Sequence, residues 1–153
     1  MPKKSLGQNF LKDKNILSKI IDSGEISSSD IVLEIGPGTG NLTEKILEKN
    51  PKYFVVVEKD KDLSISLKKK FTNKIEVINE DILKYFDKIN FDLPIKVFGN
   101  LPYNISTKIL ISFIRTKNLN DRFKKFIFIF QKEVADRIIA NENTRNYGRL
   151  SIL

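Results

Sequence analysis

Five short apolar runs alternate with stretches of helical spacing, and this constrains the fold more than any other feature of the chain. The runs are Ile31-Val32-Leu33-Glu34-Ile35, Tyr53 to Val57, Ile75 to Ile78, Ile95 to Phe98 and Phe126 to Phe130. The last is apolar on both faces, as a strand buried inside a sheet is. Around them, Ile16, Leu17, Ile20 and Ile21 recur at helical spacing after Asp13, with Gly24 as a stop. Leu42, Ile46 and Leu47 follow Asn41 and Glu44, which have the spacing of a capping box. Asp60 precedes Leu63, Leu67 and Phe71 as a cap. Ser106 opens a helix carrying Ile109, Leu110, Phe113 and Ile114, and residues 131–140 read as another. Strand and helix in alternation predict an α/β fold with a mostly parallel, doubly wound sheet. The Phe126–Phe130 strand is expected at a sheet edge, and Leu150-Ser151-Ile152-Leu153 closes the sequence on an apolar run. An uncovered apolar edge invites aggregation, so the expectation is a sheet that stops short of its full strand set.

The 153 residues suffice for one ordinary domain, and a 41% hydrophobic content with 11 Phe supports a packed core. No apolar run approaches the roughly 18 residues of a membrane span. Met1-Pro2-Lys3-Lys4-Ser5 lacks the apolar stretch of a secretory signal, so a cytoplasmic protein with no membrane partner is expected. Absence of Cys and His removes the usual zinc ligands and the Ser-His and Cys-His nucleophile systems. No metal is expected. Chemistry in this chain falls to carboxylates, amides, backbone groups or a bound cofactor. The formal charge of +8 suits a polyanionic partner, although Lys-rich composition alone also produces it. Lys3, Lys4, Lys12 and Lys14 form one basic group, and Arg122, Lys124 and Lys125 a second.

Gly36-x-Gly38-x-Gly40 lies between the first strand and the next helix, where backbone passes close to a ligand without Cβ interference. A dinucleotide turn wants a further Gly where this chain has Asn41, so the spacing fits a nucleotide without a pyrophosphate. The same departure counts against a nicotinamide-dependent dehydrogenase. Glu58 ends the second strand, where a carboxylate can accept both hydroxyls of a ribose. Asp81 follows the third, where it can accept from an adenine amine, as carboxylates do from exocyclic amines. These tips share one sheet edge, the crevice in which open α/β sheets bind ligands. The plainer alternative makes them caps and solvated loop ends.

Asn100-Leu101-Pro102-Tyr103 stands at the mouth of the fourth strand. Asn100 can accept one N6–H of a flipped-out adenine through its side chain, and the Leu101 carbonyl the other. Pro102 fixes φ and removes a competing donor. Tyr103 offers a face for stacking an unpaired base. A strand-to-helix turn that merely contains these residues is the alternative.

Gln8-Asn9-Phe10-Leu11, Glu34-Ile35-Gly36-Pro37-Gly38-Thr39-Gly40, Glu58-Lys59-Asp60, Glu80-Asp81, Gly99-Asn100-Leu101-Pro102-Tyr103-Asn104-Ile105-Ser106-Thr107, Phe130-Gln131-Lys132-Glu133-Val134-Ala135 and Tyr147-Gly148-Arg149-Leu150-Ser151 together resemble the ribosomal RNA adenine dimethyltransferases of the KsgA type. The resemblance implies a Rossmann-like class I methyltransferase using S-adenosyl-L-methionine and releasing S-adenosyl-L-homocysteine. Its implied substrate is two adjacent adenosines near the 3′ end of small-subunit rRNA, dimethylated on N6 in a pre-assembled small ribosomal subunit. Asn9 and Leu11 would close over the cofactor, Gly36 would approach its methionine part, Glu58 its ribose and Asp81 its adenine. Asn100 would lie between cofactor and target base. Residues 1–30 would form the cofactor-closing segment with its helix, and 31–153 an incomplete Rossmann-like domain. Two further strands and a C-terminal helical RNA-binding domain would be missing, and the full-length protein would be a monomer. Sister enzymes acting on large-subunit rRNA share the Gly turn and a similar Asn-x-Pro-Tyr motif, while residues 130–135 and 147–151 favour the small-subunit type. A non-catalytic subunit-assembly factor is the other alternative.

Overall fold

Along β1, successive side chains point to opposite faces of the sheet, and all five are buried, so both faces must be covered. The computed structural model describes residues 14–101 and 104–152. Its elements run α1 (Lys14–Gly24), β1 (Ile31–Ile35), α2 (Asn41–Leu47), β2 (Tyr53–Val57), α3 (Lys61–Lys70), β3 (Glu76–Ile78), α4 (Ile82–Tyr85), β4 (Ile95–Asn100), α5 (Ser106–Ile114), α6 (Leu119–Arg122), β5 (Phe123–Ile129), α7 (Lys132–Ile138) and α8 (Arg149–Ile152), with a 3-10 turn at Phe86–Lys88. The strands form one parallel sheet in the order β3-β2-β1-β4-β5. The chain leaves β1 toward β3, then returns to β4 on the other side. That reversal between β1 and β4 opens a crevice at the carboxyl ends of the strands.

On one face Leu33, Val55 and Val97 meet Ile82 of α4 and Ile109 and Phe113 of α5. On the other, Val32, Phe54, Val56 and Phe98 meet Leu17 and Ile21 of α1, Leu42 and Ile46 of α2, and Leu67 of α3. The doubly wound α/β expectation therefore holds. Gly24 closes α1 against Phe98, since a Cβ there would fall 2.3 Å from the ring. Among the described residues no helix is long and apolar enough to cross a membrane.

Differences from the sequence reading are local. The N-cap of α2 is Gly40, left-handed and without a side-chain cap bond, so Asn41 is the first helical residue rather than the cap. Asp60 caps α3 as expected, accepting from the Asp62 and Leu63 N–H groups. Asp81 caps the short α4, which periodicity could not reveal in four residues. β5 begins at Phe123, three residues early, because a register irregularity beside Ile95/Lys96 pairs Ile95 with Phe123 and Lys96 with Lys125. Lys124 is the residue skipped.

The skipped Lys124 reaches Asp30, 3.0 Å away, at the amino edge of the sheet. Asp30 is 4% exposed and also accepts from Lys96, itself 4% exposed, at 2.9 Å, and from the Ser27 N–H at 2.7 Å. Burial alone would raise its carboxyl, but Lys96, Ser27 and Lys124 hold it well below the usual range. Lys125 pairs with Glu25, and Arg122 donates to the Ile89 carbonyl. The second basic group of the sequence is thus engaged within the fold. A cavity of about 580 Å³ beside Asp30, Pro94 and Phe123 lies at this amino edge, apart from the strand tips.

Candidate active site at the strand tips

The ladder bonds place the tips side by side. Ile35 pairs with Val57 and with Gly99, and Val57 pairs with Ile78. One step further, the Gly36 N–H donates to the Val57 carbonyl at 2.9 Å, and the Glu58 N–H to the Ile78 carbonyl at 3.0 Å. Gly36 takes φ +64°, which L side chains avoid, and a Cβ there would point toward the Asn100 carbonyl 4.0 Å away. A side chain at this position would enter the crevice between the β1 and β4 tips.

Glu58 is 6% exposed and shapes the turn beside it. Its Oε2 accepts from the Gly38 N–H at 3.0 Å and its Oε1 from the Asp60 N–H at 2.9 Å. Burial raises its pKa; the Asp60 and Gly38 amides oppose that rise, while the Asp60 charge adds to it. A carboxylate has about four acceptor sites, more than the Gly38, Asp60 and Lys59 amides occupy, so it can serve the turn and a ligand together. Asn79 Nδ2 donates to the Glu58 carbonyl at 2.9 Å and to the Lys59 carbonyl at 3.3 Å, tying the β2 tip to the segment after β3. Asp81 Oδ1 accepts from the Leu83 N–H at 3.0 Å, and Oδ2 lies 2.9 Å from the Lys59 ammonium. Burial works to raise Asp81, yet Lys59 and the Leu83 amide hold it below the ordinary carboxylate value.

Asn100 ends β4, half-buried and paired in register with Ile129. The Leu101 N–H donates to the Ile129 carbonyl at 3.3 Å, and its side chain is buried against Gly99, where a Cβ would fall 2.7 Å from Leu101 Cδ2. Packing thereby fixes Leu101 at the end of the strand. Gly36, Glu58, Asp81 and Asn100 thus share one edge. Asn9, Leu11, Pro102 and Tyr103 lie outside the described residues.

Three partners escaped the sequence reading. Asn79 and Lys59 are polar residues beside tips, with no periodic signal to single them out. Glu34 carried a signal, as a charge inside an apolar run. It is 1% exposed, accepts from the Thr43 hydroxyl at 2.7 Å, and is pushed up to about 8 by burial, with a further push from Glu58.

Residues 2–153 match the family model described as "Ribosomal RNA adenine dimethylase". The "Ribosomal RNA small subunit methyltransferase A" of Pelagibacter ubique is 56% identical over 151 residues, covering 99% of this chain and 57% of that protein. The crystal structure of a dimethyladenosine transferase from Plasmodium falciparum superposes with a TM-score of 0.80 at 38% identity, covering 94% of this chain and 51% of that one. The 23S rRNA methyltransferase ErmE gives 0.72 at 28% identity, covering 92% and 53%. The chain spans about half the length of these relatives. With the strand-tip geometry and the match of residues 2–153, the chain belongs to the ribosomal RNA adenine dimethylase family.

Proposed function

We propose that this chain carries the cofactor-binding and adenine-binding face of an S-adenosyl-L-methionine-dependent rRNA adenine N6,N6-dimethyltransferase. Its substrate is two adjacent adenosines near the 3′ end of small-subunit rRNA, presented in a pre-assembled small ribosomal subunit, and its setting is the cytoplasm. The observation carrying this reading is the shared edge, where Gly36 leaves a cradle facing the Asn100 carbonyl and Glu58 braces the Gly turn. Family membership and higher identity to the small-subunit relative than to ErmE support it.

The donor set suits a nucleoside with a cationic side arm. Glu58 would hold the ribose hydroxyls, Asp81 the adenine amine and Gly36 the methionine part, with Asn9 and Leu11 closing over them. When bound, the cofactor supplies an electrophilic sulfonium methyl group, so the protein need not generate a strong nucleophile. In the first transfer Asn100 Oδ1 and the Leu101 carbonyl accept from the two protons of the target amine; in the second, only one proton remains to be accepted. Accepting both favours a pyramidal nitrogen with its lone pair freed from the purine ring. The same acceptors stabilise positive charge as it develops on N6, a preorganised electrostatic effect. Pro102 would fix φ and Tyr103 would offer its ring to the extruded base, so orientation is most of the catalysis. Proton loss from the methylated nitrogen goes to these acceptors or water.

Incubating the chain with labelled S-adenosyl-L-methionine and unmethylated small subunits, then digesting the rRNA to nucleosides, tests the reading. The expected product is N6,N6-dimethyladenosine near the 3′ end. Methylation of large-subunit rRNA instead would move the chain to the sister class, and stoichiometric subunit binding without transfer would make it an assembly factor.

A further inference from the structure

Lys59 stands where an adenine amine would have to arrive. Of the two oxygens of Asp81, Oδ1 is committed to the Leu83 N–H that opens α4. Oδ2 remains for a ligand, and the Lys59 ammonium covers it at 2.9 Å. The Lys59 backbone is held, because its carbonyl accepts from Asn79 and the next residue, Asp60, caps α3. Its side chain is 56% exposed, against 19% for that of Asp81. An exposed ammonium on a flexible stem can leave at low cost, since such ion pairs contribute little in water.

We propose that Lys59 is a displaceable gate on the cofactor's base site, competing with the adenine amine for Asp81 Oδ2. This rests on the reading of Asp81 as the adenine acceptor. The amine and the ammonium are both donors that seek the same oxygen, so each weakens the hold of the other. A purine with a 6-oxo group brings no donor to that oxygen and gains nothing from its release. The gate therefore limits affinity for adenosyl ligands, including the product S-adenosyl-L-homocysteine. That favours exchange of spent cofactor between successive methyl transfers.

Titration calorimetry on the 153-residue chain, with S-adenosyl-L-homocysteine and S-inosyl-L-homocysteine as probes, tests the gate. Lys59→Met should bind the adenosyl probe about two- to fivefold more tightly than wild type, the range of one exposed ion pair. It should bind the inosyl probe no more tightly. Asp81→Ala should weaken the adenosyl probe, and adding Lys59→Met to it should bring no gain, because the competing oxygen has gone. Unchanged or weaker adenosyl binding by Lys59→Met, with Asp81→Ala still impaired, overturns the gate and leaves the Asp81 reading intact. Tightening of both probes would also overturn it, showing a plain apolar gain from Met. Unaltered binding by Asp81→Ala, or no binding by wild type, removes the underlying reading.

Discussion

At the scale of single residues, the carboxylates divide by environment. Glu58 braces the Gly turn through the Gly38 amide, accepts from the Asp60 amide on its other oxygen, and is proposed to hold the ribose as well. Glu58→Ala should weaken binding of S-adenosyl-L-homocysteine by about 1–3 kcal/mol through lost charge-assisted bonds. Calorimetry checks this, and NAD binding with equal affinity would contradict the cofactor assignment. Glu34 behaves differently. Its proton is bound more tightly in the folded chain, the carboxyl being pushed up to about 8 from 4.5 by burial. The stability from that difference is full below pH 4.5, declines as pH rises, and is lost above about 8. Glu34→Gln should flatten the decline, removing a loss on the order of a few kcal/mol; urea unfolding of both chains across this range measures it. For the chemical step, Asn100→Ala should cost at least roughly 10²-fold in single-turnover methyl transfer, the scale of one preorganised hydrogen bond. Tyr103→Ala should lose about 1–3 kcal/mol of base stacking while Tyr103→Phe retains it. Equal damage in both Tyr103 variants would require a role for the hydroxyl.

At the scale of elements, the five strands and the long helices were legible because apolar spacing records which face is covered. Leu17 and Ile21 of α1, or Ile109 and Phe113 of α5, show this directly, since each lies in the core. What the pattern could not carry was backbone conformation and pairing. The left-handed Gly40 replaced Asn41 as cap because its missing Cβ makes room for Phe71, whose ring would lie 2.6 Å from that atom. The irregularity at Lys124 depends on the β4 partner, which β5 alone does not reveal. The placement of Gly36, Glu58 and Asn100 at one sheet edge was legible because each follows or ends an apolar run, and Asp81 lies three residues past Ile78. Lys59 and Asn79 act through neighbours from another strand and leave no local trace. Gly24 offers a test of helix–sheet packing. Gly24→Ala would place a methyl 2.3 Å from the buried Phe98 ring and should cost about 1–3 kcal/mol as overpacking. Its denaturation midpoint should fall without a change in slope.

At the scale of the whole molecule, the +8 charge is not spread as its sequence suggested. Lys124 and Lys125 lie 3.0 Å from Asp30 and Glu25, whose charges offset theirs locally. Lys3, Lys4 and Lys12 lie outside the described residues, next to the segment proposed to close the cofactor site. Replacing Lys3, Lys4, Lys12 and Lys14 with Gln should lower affinity for small subunits and reduce the salt slope by about one unit for each phosphate no longer neutralised. Replacing Lys124 and Lys125 should leave the slope unchanged. Filter binding over a salt series distinguishes the two groups, and an unaltered slope in the first set would remove it from the RNA footprint.

The left-handed Gly36 has a consequence for how such a protein can vary. A single-base change in a glycine codon yields alanine, valine, serine, arginine, cysteine, tryptophan, aspartate or glutamate. Most of these resist a φ of +64°, and all would push atoms toward the Asn100 carbonyl. Asparagine, which tolerates that backbone best, lies two base changes away. The first turn of the site is therefore closed to gradual drift: mutation reaches no near neighbour that keeps both its shape and its space.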